Sequence, residues 1–110
     1  MAKAPPYLVK LVEPVMIGAD VSVRRFILAP GDAIPWHRHS TIDDLCVLLS
    51  GALCVQTRGP EGEHLLRPGD THHTTAGTPH RLSNISGEDC SFLLIQGVGT
   101  RDFVKLEVTA

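Results

Sequence analysis

The chain has 110 residues, of which 43% are hydrophobic and 5% aromatic, and its formal net charge is −2 at pH 7. This length suits a single domain, residues 1–110, and leaves no room for a second core. The small negative charge excludes the basic surface that nucleic-acid-binding domains use, and no apolar run is long enough to span a membrane. We therefore expect neither nucleic acid nor membrane as a partner. The N-terminal residues lack the apolar core of a signal peptide, which favours a cytoplasmic location.

Short β-rich segments separated by turn residues follow one another along the chain. In its first part we predict strands at Tyr7–Val12, Val21–Ala29, Ala33–His39 and Asp44–Ser50. In its second part we predict strands at Ala52–Thr57, His64–Arg67, Thr71–Thr75, His80–Ser86, Cys90–Gly97 and Phe103–Val108. Pro35 lies within one of them and is expected beside a bulge or at a sheet edge. Regular spacing without a helical period predicts an all-β sandwich or barrel.

The stretch from Gly31 to Gly51 combines two histidines with an acidic pair. Side chains alternate along a strand, so His37 and His39 point the same way, with about 7 Å of strand rise between them. A turn at residues 40–42 would bring Asp43 and Asp44 back beside them. Two imidazoles and a carboxylate on one wall are typical ligands of a divalent metal ion.

A second stretch, Gly69 to Asn84, supplies a third candidate ligand, His80. Together the stretches resemble the two motifs of the cupin superfamily, at residues 31–51 and 69–84. The spacing matches throughout both motifs. Two identities differ, since Asp44 stands where the family has glutamate and Thr75 where it has proline.

This resemblance implies a cupin-type β-barrel or jelly roll of two packed antiparallel sheets. It also implies one divalent metal ion, either Fe, Zn, Mn or Ni, with four candidate ligands: His37, His39, Asp44 and His80. Three roles are open for Asp44, whose side chain is one methylene shorter than glutamate. It could bind the ion, hold a bound water, or orient a histidine. Asp43 is the alternative carboxylate, and its competing interpretation is a solvated turn residue.

The remaining polar and sulfur-containing residues have simpler interpretations. His72 and His73 are adjacent, so only one can face the pocket, where it could shuttle protons; a structural histidine is the competing interpretation for both. The three cysteines form no CxxC pair and are interpreted as buried thiols. Asn84 is expected to fix a turn, and the four motif glycines are expected to adopt positive φ in turns: Gly31, Gly51, Gly69 and Gly77.

Two classes of function fit these residues. The first is a metalloenzyme acting on a small polar organic substrate, as a dioxygenase, isomerase or lyase. The second is a non-catalytic cupin that binds or senses a small molecule. The sequence names no substrate.

The strand at Asp44–Ser50 is apolar on both faces, which predicts that its outer face is covered. We interpret its outward residues and Trp36 as one apolar patch, covered by the strand at Tyr7–Val12 or by a second copy of the chain. Apolar patches of this kind usually mark interaction surfaces, and we predict a homodimer.

Overall fold

The computed structural model of the protein describes residues 7–106. Ten strands follow one another, and no helix occurs within this range. The first five are β1 (Leu11–Ile17), β2 (Ser22–Leu28), β3 (Ala33–Arg38), β4 (Asp44–Ser50) and β5 (Leu53–Thr57). The others are β6 (Gly62–Leu66), β7 (Thr71–Thr74), β8 (His80–Asn84), β9 (Cys90–Gln96) and β10 (Val104–Lys105). Within the described range there is thus no helix that could cross a membrane.

The strands form two five-stranded sheets in which every neighbouring pair is antiparallel. One sheet has the order β1-β2-β9-β4-β7 and the other the order β10-β3-β8-β5-β6. Because consecutive strands repeatedly pass from one sheet to the other, the chain winds into a jelly roll. The predicted all-β fold of two packed antiparallel sheets is confirmed.

The main error in strand prediction concerns the first strand. Tyr7–Val12 was predicted, whereas β1 begins at Leu11 and continues through Pro14 to Ile17. Proline is accommodated because β1 is an edge strand and its register with β2 shifts between Pro14 and Met16. The ring of Tyr7 instead packs near two phenylalanines inside the sandwich. The last predicted strand shortens to β10, and residues 107 and 108 lie outside the described range.

Between the sheets, alternate residues of each strand form the core. In β9 the side chains of Cys90, Phe92 and Leu94 are buried, while the residues between them are only partly buried. The rings of Phe26 and Phe92 stack with centroids 5.1 Å apart and planes 2° from parallel. This apolar packing occupies one part of the sandwich, while the polar inward residues gather near the start of β4 and the end of β9. The core therefore fixes the strands that carry the site.

Two turn residues act as the sequence predicted. Gly51 has φ 84°, and a Cβ there would lie 2.7 Å from the Cβ of Cys90, so no larger residue fits without movement. Asn84 donates from Nδ2 to the carbonyls of Leu28 (2.9 Å) and Glu88 (2.7 Å), and its Oδ1 accepts from the N–H of Ser86 (2.8 Å). Pro35 sits at the predicted bulge, where the β3–β8 register shifts.

The outer apolar surface differs from the predicted single patch. Leu45 and Val47 lie on the sheet that contains β4, whereas Trp36 lies on the other sheet, where Arg58 stacks over its ring at 4.3 Å. The strand β1 lies at the edge beside β2 and so does not cover β4. On the outer face of β4, the side chain of Leu49 is 45% exposed. The homodimer stays a prediction, now limited to this one face.

Candidate metal centre

Four buried side chains from both sheets meet at one point between them. His37 lies in β3, and His39 is the first residue after that strand. Asp44 is the first residue of β4, and His80 is the first residue of β8. One ligand atom from each lies within 4.8 Å of the others. The strand register explains the meeting, because His37 pairs with His80 across β3 and β8, and the short link after His39 returns the chain to Asp44.

Backbone carbonyls fix the orientation of all three imidazoles. The Nδ1–H of His37 donates to Pro35 O (2.6 Å), that of His39 to Asp102 O (2.5 Å), and that of His80 to Thr78 O (2.9 Å). A carbonyl can only accept, so each Nδ1 must carry the proton. In a neutral ring this leaves the Nε2 lone pair free, and such a carbonyl partner is the usual support of a metal-binding histidine.

Asp44 lies at the centre of the cluster and is 3% exposed. Its Oδ2 is 2.9 Å from Nε2 of His39 and 3.1 Å from Nε2 of His80. Its Oδ1 accepts a hydrogen bond from Nε2 of Gln96 at 2.8 Å, and Gln96 in turn accepts one from Arg24 at 3.3 Å. One carboxylate oxygen is therefore held by β9, and the other is directed at the histidines.

Without a bound ion, electrostatics favour the protonation state that a metal ligand needs at His37 and Asp44, but not at His39. Burial and the neighbouring His80 lower the pKa of His37 to about 3, so this ring is neutral at pH 7. Burial alone would raise the pKa of Asp44, but hydrogen bonds from His39 and His80 outweigh it and hold that pKa well below its usual range. Burial opposes charge on His39 too, but the hydrogen bond and charge of Asp44 raise its pKa.

The donor set fits a divalent metal ion. Three imidazole nitrogens and one carboxylate oxygen suit Zn, Fe, Mn or Ni rather than Ca or Mg, which prefer oxygen alone. Asp44 Oδ2 lies 2.9 and 3.1 Å from the Nε2 atoms of His39 and His80, so these three groups are close enough to share one ion.

A cavity of about 590 Å³ opens onto the cluster. His37, His39 and Asp44 form part of its wall. Most of the remaining lining is apolar and comes from both sheets, the residues before β1 and the segment after β9: Tyr7, Val12, Pro14, Ile17, Ile34, Leu82, Leu94 and Phe103. The ring of Phe103 stacks on His37 with centroids 4.2 Å apart and planes 16° from parallel. The centre therefore lies at the wall of an apolar chamber large enough for a small organic molecule.

The other predicted candidates lie apart from this cluster. His73 and Asp43 form an exposed pair at 2.8 Å, and the Oδ1 of Asp43 accepts from the N–H of Ala76. His72 faces the inner side of β7, but its ring lies against that of His64, 4.3 Å away. Neither His72 nor His73 lines the cavity. Of the two carboxylates, Asp44 is the one at the cluster.

The cysteines are buried free thiols, as expected. Cys46 shares the inner face of β4 with Asp44, and burial raises its thiol pKa above the usual range. Burial likewise raises the pKa of Cys90 to about 11. Both thiols therefore stay protonated at neutral pH and are poor metal ligands.

Sequence reasoning missed three residues beside the cluster: Arg24, Gln96 and Phe103. Gln96 lies opposite both Asp44 and Ser22 in the sheet, a register that spacing along the chain does not reveal. The available signal was its place at the end of an otherwise apolar inward row of β9, where a polar residue needs a buried partner.

Comparison with solved structures supports the same architecture. The crystal structure of TT1209 from Thermus thermophilus is 28% identical, with 88% of this chain and 90% of that chain covered and a TM-score of 0.76. An uncharacterized conserved protein with a double-stranded β-helix domain from Klebsiella pneumoniae is 24% identical, with 96% and 90% covered and a TM-score of 0.77. An oxalate oxidase is 20% identical over 79% of this chain and 46% of its own, with a TM-score of 0.73. The last two likenesses establish the fold alone.

Comparison with curated protein sequences gives no match. The family model described as the cupin domain matches residues 24–96, which include both motifs and all four clustered side chains. Since this match spans more than half of the chain and agrees with the observed jelly roll, the protein belongs to the cupin domain family.

Proposed function

We propose that this protein binds one divalent metal ion through His37, His39, His80 and Asp44 and acts as an enzyme on a small organic molecule in the adjoining cavity. One observation carries the proposal: three buried imidazoles, each fixed by a backbone carbonyl, meet one buried carboxylate. A group of histidines that merely lined a polar pocket would not need all three rings oriented in this way.

The residues around the centre have different roles. The carbonyl acceptors keep each Nδ1 protonated, which directs the Nε2 lone pairs inward. Gln96 holds one oxygen of Asp44 and leaves the other for the ion. When bound, the metal supplies Lewis acidity, or electron transfer if it is redox-active. The apolar side chains of the cavity exclude water from the reacting molecule.

An enzyme is favoured over a storage or sensing protein because the cluster lies at the wall of a chamber. Iron, manganese and nickel accept up to six ligands, so four protein groups leave positions for substrate or water. The similar fold of an oxalate oxidase supports, at the level of architecture only, an enzymatic activity in such a barrel. The metal would distinguish the reaction types, with iron indicating dioxygenase chemistry and zinc, nickel or manganese indicating isomerase or lyase chemistry.

Metal analysis tests this proposal directly. Protein purified without added metal, and then protein loaded with zinc or iron(II), should contain about one ion per chain by elemental analysis. His37→Ala and His80→Ala should each reduce the metal content sharply. His72→Ala is the matched control, because this histidine lies outside the cluster, and it should retain the wild-type content. The absence of stoichiometric metal in loaded wild-type protein would refute the proposal.

A further inference from the structure

A single partly buried cation lies within the chamber, on the strand β2. Arg24 lines the cavity together with His37, His39 and Asp44. Its guanidinium carbon lies 5.3 Å from the centroid of the buried Phe26 ring, a position that favours a cation–π contact. Its side chain is therefore held in place against the core and does not extend freely into solvent.

The hydrogen bonds of Arg24 leave most of its donors free. Among residues 7–106 its side chain donates only to Oε1 of Gln96, at 3.3 Å, and no carboxylate there forms an ion pair with it. The adjacent Arg25 differs, since its Nε donates to Glu13 at 2.6 Å. A guanidinium has five N–H donors in a planar fork, so Arg24 keeps donors available for an anion in the chamber.

The net charge of the chamber also favours an anionic ligand. Two carboxylates line the chamber, Asp44 and Asp102, and in the proposed function a divalent ion balances their charge. The Asp102 carboxylate also accepts hydrogen bonds from the backbone and side chain of Ser40. At the rim, Arg101 donates, within the described part of the chain, only to the backbone carbonyls of Gly18 and Gly97. The loaded chamber thus carries an excess of positive charge that an anionic ligand would balance.

We infer that the ligand of this chamber is an organic acid whose carboxylate binds the guanidinium of Arg24. This inference rests on the proposed function for its metal, but the Arg24 site itself is built without it. A single glutamine side chain separates Arg24 from Asp44, so a molecule held by its carboxylate has its neighbouring atoms beside the metal ligands. The apolar lining accommodates the hydrocarbon part of the acid.

The geometry also separates Arg24 from a purely structural role. Arg24 orients Gln96, but a structural role would not need an otherwise unused planar fork that lines the cavity. A carboxylate accepts two parallel hydrogen bonds from such a fork, which a neutral amide of the same shape cannot match. The preference for acid over amide is therefore the measurable signature of the site.

Calorimetric titration tests the inference with two matched pairs of probes, benzoate against benzamide and hexanoate against hexanamide. The zinc-loaded wild type should bind at least one carboxylate about tenfold more tightly than its amide, and Arg24→Gln should weaken carboxylate binding by about ten- to a hundredfold. The carboxylate affinity of Arg24→Lys should lie between those of the wild type and Arg24→Gln, because lysine keeps the positive charge but lacks the planar fork of donors. Arg25→Gln is the control, since that side chain pairs with Glu13, and should retain wild-type binding.

The outcomes separate this inference from the proposed function. If zinc binds but no carboxylate is preferred, or if Arg24→Gln binds carboxylate as well as the wild type does, the inference is wrong and the metal site stands. Tight carboxylate binding that is independent of Arg24 would place the acid on the metal instead and would equally overturn it. If zinc does not bind, the same titrations on metal-free protein still test the inference. A preference for carboxylate that depends on Arg24 would then support the acid site without the metal site, and its absence would overturn the inference. Circular dichroism melting confirms that each variant is folded.

Discussion

The hydrogen bond from Gln96 to Asp44 makes the most direct prediction about the metal centre. Gln96→Leu keeps a side chain of similar size but removes the donor that lies 2.8 Å from Asp44 Oδ1. Because Asp44 is only 3% exposed, water cannot easily replace that donor. A hydrogen bond to a charged group contributes about 1.5–3 kcal/mol, which corresponds to about ten- to a hundredfold in an equilibrium constant. Loss of a partner behind a metal ligand costs a similar factor. We expect the zinc dissociation constant to rise by about ten- to a hundredfold.

Competition with a chromophoric chelator measures this change. Gln56→Leu is the matched control, because Gln56 is also a glutamine in a strand that accepts from an arginine, Arg81, but it is only partly buried and lies outside the cluster. Its zinc affinity should equal that of the wild type. The metal-free Gln96 variant should also lose about 1–3 kcal/mol in free energy of unfolding, because a buried carboxylate oxygen loses its partner. A folded Gln96→Leu protein with unchanged zinc affinity would refute the view that Gln96 positions Asp44.

Three other expectations can be measured on the same protein. Asp44→Asn should weaken zinc binding about as much as the loss of a histidine if Asp44 binds the ion directly, whereas Asp43→Asn, on an exposed residue, should leave the affinity unchanged in the same competition assay. Gly51→Ala should lower the free energy of unfolding, measured in urea, more than Gly69→Ala does. Both glycines have positive φ, but only at Gly51 would the added Cβ lie against another side chain. Equal losses would show that backbone strain alone sets the cost of both substitutions. If the outer face of β4 pairs two copies, sedimentation at micromolar concentration should give a dimer mass for the wild type and a monomer mass for Leu49→Asp; a monomeric wild type would end the homodimer prediction.

Much of the fold could be predicted because it depends on local patterns. Alternation of apolar residues, frequent turn residues and the two spaced motifs indicated a barrel of two antiparallel sheets, and both the family match and the structure confirm it. The four candidate ligands were identified from the same motifs, and the structure brings them together. Between Asp44 and Asp43, motif spacing alone favoured Asp44, and the structure places Asp44 in the cluster.

The missed features depend on pairing between distant strands. Arg24 and Gln96 are 72 residues apart along the chain, and only the β2–β9 register brings them together beside β4. The carbonyl that orients His39 comes from Asp102, whose side-chain chemistry says nothing about its backbone. The first strand was misplaced for a similar reason, since Pro14 is tolerated only because β1 is at a sheet edge. The local sequence does not indicate which strand lies at the edge of a sheet.

The segment that follows β9 gives the metal centre an unusual dependence on local unfolding. The carbonyl of Asp102 holds His39, and the ring of Phe103 covers His37, so this segment must stay closed for both rings to keep their positions. An ion that binds the closed form and not the open form shifts that equilibrium by mass action, by about 2.7 kcal/mol at a hundred times the dissociation constant. Amide hydrogen exchange between residues 98 and 106 should therefore slow when metal is added. Release of a bound ion and opening of this segment would then be one linked event, and the core would not need to unfold for the ion to leave.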